Sequence, residues 1–248
     1  MASPMTERSY RSSAKETSSS EMLEICLLRH GQTVFNTIER VQGWNDSPLT
    51  ELGIYQARCA GFGMRNTKFD KVYSGDIQRQ IDTAEIFLAE NSYPAEIIPD
   101  PHFREMCYGR YQAGSYFDML NPLYDKVGAS YEGYFGLYRY YDDYQIAAEL
   151  CRNDETGETE GPSRVWKRFK EGLDQITAND RGRILISTSS CAIAVVLHEL
   201  FPDFVQGGLV DNASLTVLTY EDGRYVLKDY NDTSYRKEGE RHFEGEKS

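Results

Sequence analysis

Arginine, histidine and glycine stand side by side at positions 29–31, directly after the mostly apolar run Glu24–Leu28 (EICLL). That order has a chemical sense. A guanidinium fork binds phosphate oxygens, an imidazole can attack phosphorus, and a glycine lets the backbone approach a tetrahedral anion. Three residues alone carry little specificity. The other histidines are His102, His198 and His242, and no two histidines share a helical metal-ligand spacing. The five cysteines are scattered and form no CxxC pair. No metal site is expected, and reduced thiols in a cytoplasmic protein are the plain reading.

Positioning Arg29 and His30 requires a strand that ends beside them. Glu24–Leu28 reads as a strand buried on both faces, and Ile184–Ser187 (ILIS) as a second. Thr50 is the expected N-cap of a helix running to about Arg65, with Leu52, Tyr55 and Cys59 on one face. Lys71–Tyr73 reads as a short strand, Gln80–Glu90 as a helix and Ala192–Leu200 as an apolar helix. Leu215–Tyr220 and Tyr225–Tyr230 read as a hairpin turning at Asp222-Gly223. Strands alternating with helices predict an α/β three-layer sandwich with a mostly parallel central sheet. In such sheets ligands bind beyond the carboxyl ends of the strands, where residues 29–31 fall.

The chain has 248 residues and a formal net charge of −12. That balance argues against nucleic-acid or anionic-membrane binding, and no apolar run approaches the ~18 residues of a membrane span. Residues 1–20 are Ser-rich and read as a disordered tail, and 236–248 as a polar, frayed one, leaving 21–235 as the folded domain. Residues 115–165 break the strand–helix rhythm and hold six of the twelve net negative charges, while ten of the 18 tyrosines fall between Tyr108 and Tyr144. This segment is expected to be an inserted helical cap. Its rings suit either a substrate-facing wall or packing on the core, and an exposed aromatic insertion also suits a homodimer contact.

Beyond the triplet, the longer segments LLRHGQTVFN, QGWNDSPLTELG, YSGDIQRQIDTAE, FREMCYGRYQ and DNASLTVLTY resemble, in order and spacing, the histidine phosphatase (phosphoglycerate mutase-like) superfamily. The resemblance covers nearly all of the folded chain. It implies a metal-independent, cofactor-free phosphohistidine mechanism on a small phosphorylated substrate. His30 is then the nucleophile and Glu105 the acid that protonates the leaving oxygen and later deprotonates water. Arg29, Asn36 and Arg79 bind phosphoryl oxygens, with Gln42 and Gly43 lining the pocket. Two arginines converging on one histidine suit phosphoryl transfer, which is mostly positioning and charge neutralisation. By residue type alone, the lesser alternatives are an exposed arginine at a helix start for Arg79 and a solvated carboxylate for Glu105.

One departure stands out. The family places a second histidine after the ILIS strand, and Thr188, followed by Ser189, occupies that place here. Losing a charged donor there costs about 3–4 kcal/mol in the transition state, or ~10²–10³ in rate. His198 lies ten residues on, roughly 15 Å of helical rise away, and cannot substitute. His102 is expected at the surface. Three readings follow: a phosphomonoester hydrolase of reduced rate, a phosphate-binding pseudoenzyme, and a phosphoglycerate mutase. The mutase is disfavoured, because Glu105 is followed by MCYGRYQ and not by the basic stretch typical of mutases.

Overall fold

A computed structural model describes residues 22–204 and 208–245. The expected tail at 1–20 lies outside them. The elements run β1 (Leu23–Arg29), α1 (Val34–Thr37), α2 (Glu51–Gly63), β2 (Lys71–Ser74), α3 (Gln78–Ala89), β3 (Ile97–Pro99), α4 (Tyr116–Val127), α5 (Gly133–Gly136), α6 (Asp143–Asn153), α7 (Pro162–Asn179), β4 (Arg183–Thr188), α8 (Ser190–Leu200), β5 (Leu215–Glu221), β6 (Arg224–Asp232) and α9 (Ser234–Gly245). The strands form one sheet in the order β3-β2-β4-β1-β5-β6. β3, β2, β4 and β1 are parallel; β5 and β6 add an antiparallel edge.

Alternation along the central strands builds the three layers. Ile25 and Leu27 of β1 and Ile184 and Ile186 of β4 point into one core with α4, α6, α7 and α8. Cys26, Leu28 and Leu185 point the other way, against Ala60 and Met64 of α2 and its C-cap and Ala84 and Phe87 of α3. Strands covered on both faces cannot afford an outward polar residue, which explains the continuous apolar runs. The β5–β6 turn carries positive φ at both Asp222 and Gly223, as a two-residue type I′ hairpin requires.

α2 starts as expected, with the Thr50 side chain accepting from Gly53 N. Its buried face differs from expectation. Leu52 is half-exposed, and the inner face is made of Gly53, Ala57, Ala60 and Gly61 with Cys59. Small residues are demanded by close backbone approach: a Cβ at Gly61 would lie 2.1 Å from the Phe87 carbonyl oxygen.

The inserted segment is helical, but its helices α4–α6 end at Asn153, and α7 belongs to the sandwich layer over β4. Met119, Leu120, Leu123, Ile146 and Leu150 join the main core directly, so the insertion is continuous with the domain. The C-terminal expectation is corrected. Residues 234–245 form a docked helix, with Phe243 tilted against Phe62, Arg58 over Phe243, and Arg65 paired with Glu238 at 2.9 Å. The chain reads as polar there because the contact is made through glycine: a Cβ at Gly239 would sit 2.2 Å from the Cys59 carbonyl oxygen. Among the described residues no helix is long and apolar enough to cross a membrane.

Truncation after Thr233 is therefore expected to cost about 2–4 kcal/mol by exposing the outer face of α2. Urea unfolding measures it, and an unchanged midpoint would restore the frayed-tail reading.

Candidate active site

The site forms where β1 and β4 end side by side. Their register pairs Arg29 with Thr188, and the ladder continues one step as His30 N–H donates to the Thr188 carbonyl at 3.0 Å. Gly31 then turns the chain away. Its glycine is needed for packing and not for contact with an anion, because a Cβ would lie 2.4 Å from the Gly53 carbonyl oxygen at the start of α2. Gly53 returns the constraint, since its own Cβ would lie 2.0 Å from the Gln32 carbonyl oxygen.

His30 is 4% exposed. Its Nδ1 sits 2.8 Å from the Gly31 carbonyl oxygen, an acceptor only, so Nδ1 carries the proton and Nε2 the lone pair. Asn212 Nδ2 donates to the His30 carbonyl at 2.9 Å, fixing the backbone behind the ring. Burial, then Arg79, then Arg29 hold the imidazole well below its ordinary pKa of 6.5. The ring is thus neutral and nucleophilic at neutral pH.

Arg79 is no surface residue. It sits in the first turn of α3 at 1% exposure, donating to the Gly43 carbonyl at 2.7 Å and the Asn45 carbonyl at 2.9 Å, with Asp46 at 3.4 Å. Arg29 donates to the Val210 carbonyl. The Nε atoms of both guanidiniums are buried without a partner. One buried and one half-buried cation, each with an orphaned buried Nε–H, make a site for an oxyanion. Asn36 and Gln42 complete one wall. The Thr33 hydroxyl stands 3.1 Å from Asn36 Oδ1 and 2.9 Å from Gln42 Oε1, which leaves both amide nitrogens to the pocket. Gly43 has φ of +56°, and a Cβ there would collide with the Tyr108 ring and Gln112 Oε1 at 2.8 Å.

Glu105 is buried too, at 7% exposure. Its Oε1 accepts from Met106 N–H at 2.7 Å and Ala192 N–H at 3.0 Å, and Oε2 from Cys191 N–H at 3.2 Å. The carboxyl group therefore caps α8, whose N-cap residue Ser189 makes no capping bond of its own. Burial raises its pKa; the Met106 N–H and Arg79 oppose the rise.

Arg29, His30, Asn36, Gln42, Gly43, Arg79 and Glu105 all line one pocket, with Val41, Tyr108, Tyr116, Met119, Tyr134, Ser190, Cys191 and Leu209. Two expected phosphate ligands do not. Thr188 is fully buried with its hydroxyl donating to the Phe103 carbonyl at 2.8 Å, and Ser189 Oγ accepts from Gln80 Nε2 at 2.9 Å. Alternation along β4 turns Thr188 towards the loop that carries Glu105, and the next turn of chain presents Ser190 and Cys191 instead. Burial pushes the Cys191 thiol well above its ordinary range, so it stays protonated. The pocket has no second imidazole: His102 Nδ1 bonds Asp100 at 2.7 Å, His198 stacks on Tyr144 and His242 on Phe62. Of the tyrosines, Tyr108, Tyr116 and Tyr134 face the pocket, whereas Tyr124 is fully buried in the core. Among the described residues no group of three or more His, Cys, Asp or Glu side chains is placed to hold a metal.

Arg168 of α7 gave no sequence signal. Its partners are a carboxylate, Glu160, and the carbonyls of residues 102, 104 and 105, more than 60 positions upstream.

The profile of the histidine phosphatase superfamily (branch 1) matches residues 25–233. This chain belongs to that superfamily. It is 27% identical, over 92% of its own length and 90% of the relative's, to the metal-independent phosphoserine phosphatase of Arabidopsis thaliana. A probable phosphoglycerate mutase of Yersinia pestis is 39% identical over 88 residues, 36% of this chain and 40% of that protein. The crystal structure of a phosphoglycerate mutase from Bacillus anthracis superposes with a TM-score of 0.81 at 26% identity, covering 89% of this chain and 98% of that one. This member of the superfamily has the α/β sandwich of that structural relative, with a mostly parallel sheet.

Two measurements test the site as described. Because the folded pKa of His30 lies below the unfolded 6.5, the unfolded chain takes up the extra proton. The contribution is intact above pH 6.5 and is lost as pH falls below it. His30→Asn should flatten the acid limb of the stability–pH curve, and an unchanged limb would put the ring in solvent. Thr188→Val should cost about 1–2 kcal/mol, leaving the Phe103 carbonyl to Gln80 alone, and leave inorganic phosphate affinity unaltered. A tenfold loss of phosphate affinity would return Thr188 to the pocket.

Proposed function

We propose that this protein is a metal-independent phosphatase that hydrolyses a small phosphomonoester through a phosphohistidine on His30. The observation that carries the reading is the pairing of a neutral imidazole, its Nδ1 proton spent on Gly31, with two guanidiniums whose Nε atoms are buried and unpartnered. The substrate phosphoryl group would lie against Arg29, Arg79 and the amides of Asn36 and Gln42. His30 Nε2 forms the N–P bond as the ester P–O bond breaks, and protonated Glu105 gives its proton to the leaving oxygen. The Glu105 carboxylate then takes a proton from water as that oxygen attacks phosphorus, the N–P bond breaks, and inorganic phosphate is released.

Two guanidiniums supply the positive charge that a cation would otherwise bring to the phosphoryl oxygens. On the leaving-group side the wall is Val41, Tyr108, Tyr116, Met119, Tyr134 and Leu209, apolar bodies with three phenolic tips. Such a wall suits a compact leaving group with a carbon body and one or two hydroxyl or amine groups, as the similarity to a phosphoserine phosphatase supports. The mutase reading is disfavoured: Arg110, the one basic residue after Glu105 in that stretch, donates to the Asn153 carbonyl and does not line the pocket.

A second reading, phosphate binding without turnover, rests on the lack of any imidazole but His30 in the pocket. One assay separates the two. Wild type should hydrolyse p-nitrophenyl phosphate equally with and without a chelator and form an acid-labile phosphoenzyme, and His30→Ala should lose about 10³-fold or more of kcat. Phosphate binding with no turnover would instead establish the binding-only reading. A rate indifferent to His30→Ala would sink both mechanism and nucleophile.

A further inference from the structure

The loop that carries Glu105, residues 102–107, has almost no ladder partners of its own and is held by side chains. Gln80 and Thr188 donate to the Phe103 carbonyl and Trp44 Nε1 to the Glu105 carbonyl, and Arg168 alone holds three carbonyls. Its Nη1 donates to the carbonyls of His102 at 2.9 Å and Arg104 at 2.8 Å. Its Nη2 donates to the Glu105 carbonyl at 2.8 Å and to Glu160 Oε2 at 3.0 Å, and Nε to Glu160 Oε1 at 3.0 Å. A guanidinium has five N–H donors, and all five are used. Glu160 closes the circuit. Its Oε2 accepts from Cys107 N–H at 2.8 Å, its own N–H donates to the Cys107 carbonyl at 2.8 Å, and Thr159 bridges to Tyr108. The pair is withdrawn from water, with side-chain exposures of 15% and 5%, yet Arg168 does not reach the pocket.

Three of these bonds hold backbone carbonyls of one short loop, the last of them that of Glu105, the one carboxylate in the pocket. From this we infer that Arg168, clamped by Glu160, is the positioning residue for proton transfer by Glu105. The inference rests on the phosphatase reading and deepens it. The Glu105 side chain is fixed from the opposite direction by the α8 N–H groups, and Oε2, with its single 3.2 Å bond, is the oxygen free to carry the proton. In the step concerned the Glu105 O–H bond breaks, the proton goes to the ester oxygen, and that oxygen's bond to phosphorus breaks as His30 Nε2 forms its own. Loss of the fork would displace the carboxyl group along the loop without touching the phosphate ligands. A lysine offers three donors from a point charge and cannot serve five acceptors in this plane.

The test exploits leaving groups, since kcat/KM in this scheme covers steps up to phosphoenzyme formation. Nitrophenolate departs without a proton, whereas an alkoxide such as that of glycerol 2-phosphate needs one. In Arg168→Met, the ratio of kcat/KM for glycerol 2-phosphate to that for p-nitrophenyl phosphate should fall about tenfold or more, with competitive inhibition by inorganic phosphate held within about threefold. Arg168→Lys should show the same fall despite its charge. Glu160→Gln, which keeps the shape of the clamp, should show a smaller fall in the same direction and provides the reading if Arg168→Met does not fold. Equal losses on both esters, no loss on the alkyl ester, or full recovery in Arg168→Lys would overturn the assignment. Failure of the wild type to hydrolyse either ester would instead overturn the phosphatase reading on which it rests.

Discussion

Two guanidiniums, one buried and one half-buried, set the terms beside one imidazole for the rest of this structure. Burying a cation is costly unless its donors are met, and the chain meets them mostly with backbone carbonyls. Arg79 takes those of Gly43 and Asn45, and Arg29 that of Val210. Carbonyls satisfy hydrogen bonds without neutralising charge, so the positive potential is left over for a ligand. The positive φ of Gly43, the cramped contact of Gly31 with Gly53, and the Thr33 hydroxyl between two amides are local conditions for that arrangement.

The acidic composition acquires a different meaning in this light. Of the carboxylates in 115–165, Asp143, Asp154 and Glu160 are buried and structural. Asp143 accepts from the hydroxyls of Tyr134, in the pocket wall, and Tyr138. Asp154 organises the turn through Thr156 and Thr159, and Glu160 clamps Arg168. Part of the acidic charge of 115–165 is therefore internal framework, and through Tyr134 it holds a wall of the pocket. A net charge of −12 describes the chain as a whole and not the potential at a site that small.

What was legible in the sequence follows from the range of the interactions. Buried parallel strands announce themselves because every position must be apolar or small, as in EICLL and ILIS. The Asp222-Gly223 turn is local chemistry, and so is the Thr50 cap. Ordered motifs brought seven site residues into view because each is fixed by its neighbours in the chain. Thr188 was misplaced since motif position does not say which way a side chain points, and a one-residue change at the end of β4 exchanges pocket for core. α9 escaped notice because it docks through a glycine and a few rings, with no apolar stripe to betray it. Arg168 has backbone carbonyls for partners, and carbonyls carry no residue identity.

The two titratable groups to which the proposed reaction gives proton and lone pair are displaced in opposite directions by the same enclosure. Burial pushes the His30 imidazole down, with both arginines adding to the effect, and pushes the Glu105 carboxyl up. Each shift favours the neutral form, and the neutral form is the useful one at the start of the reaction: a lone pair on His30 and a proton on Glu105. To the extent that the Glu105 carboxyl carries its proton it does not compete with an incoming phosphate for the guanidiniums, and Asp46 is the carboxylate that pairs with Arg79, at 3.4 Å. The N–H donors of Met106, Cys191 and Ala192 pull the other way, favouring the carboxylate that must next accept a proton from water. A group that serves first as acid and then as base needs such opposed influences, and here one comes from the dry core and the other from the first turn of α8. With no second imidazole lining the pocket to carry part of a phosphoryl charge, the proposed reaction would rest more heavily on that balance at Glu105 than its place in a loop would indicate.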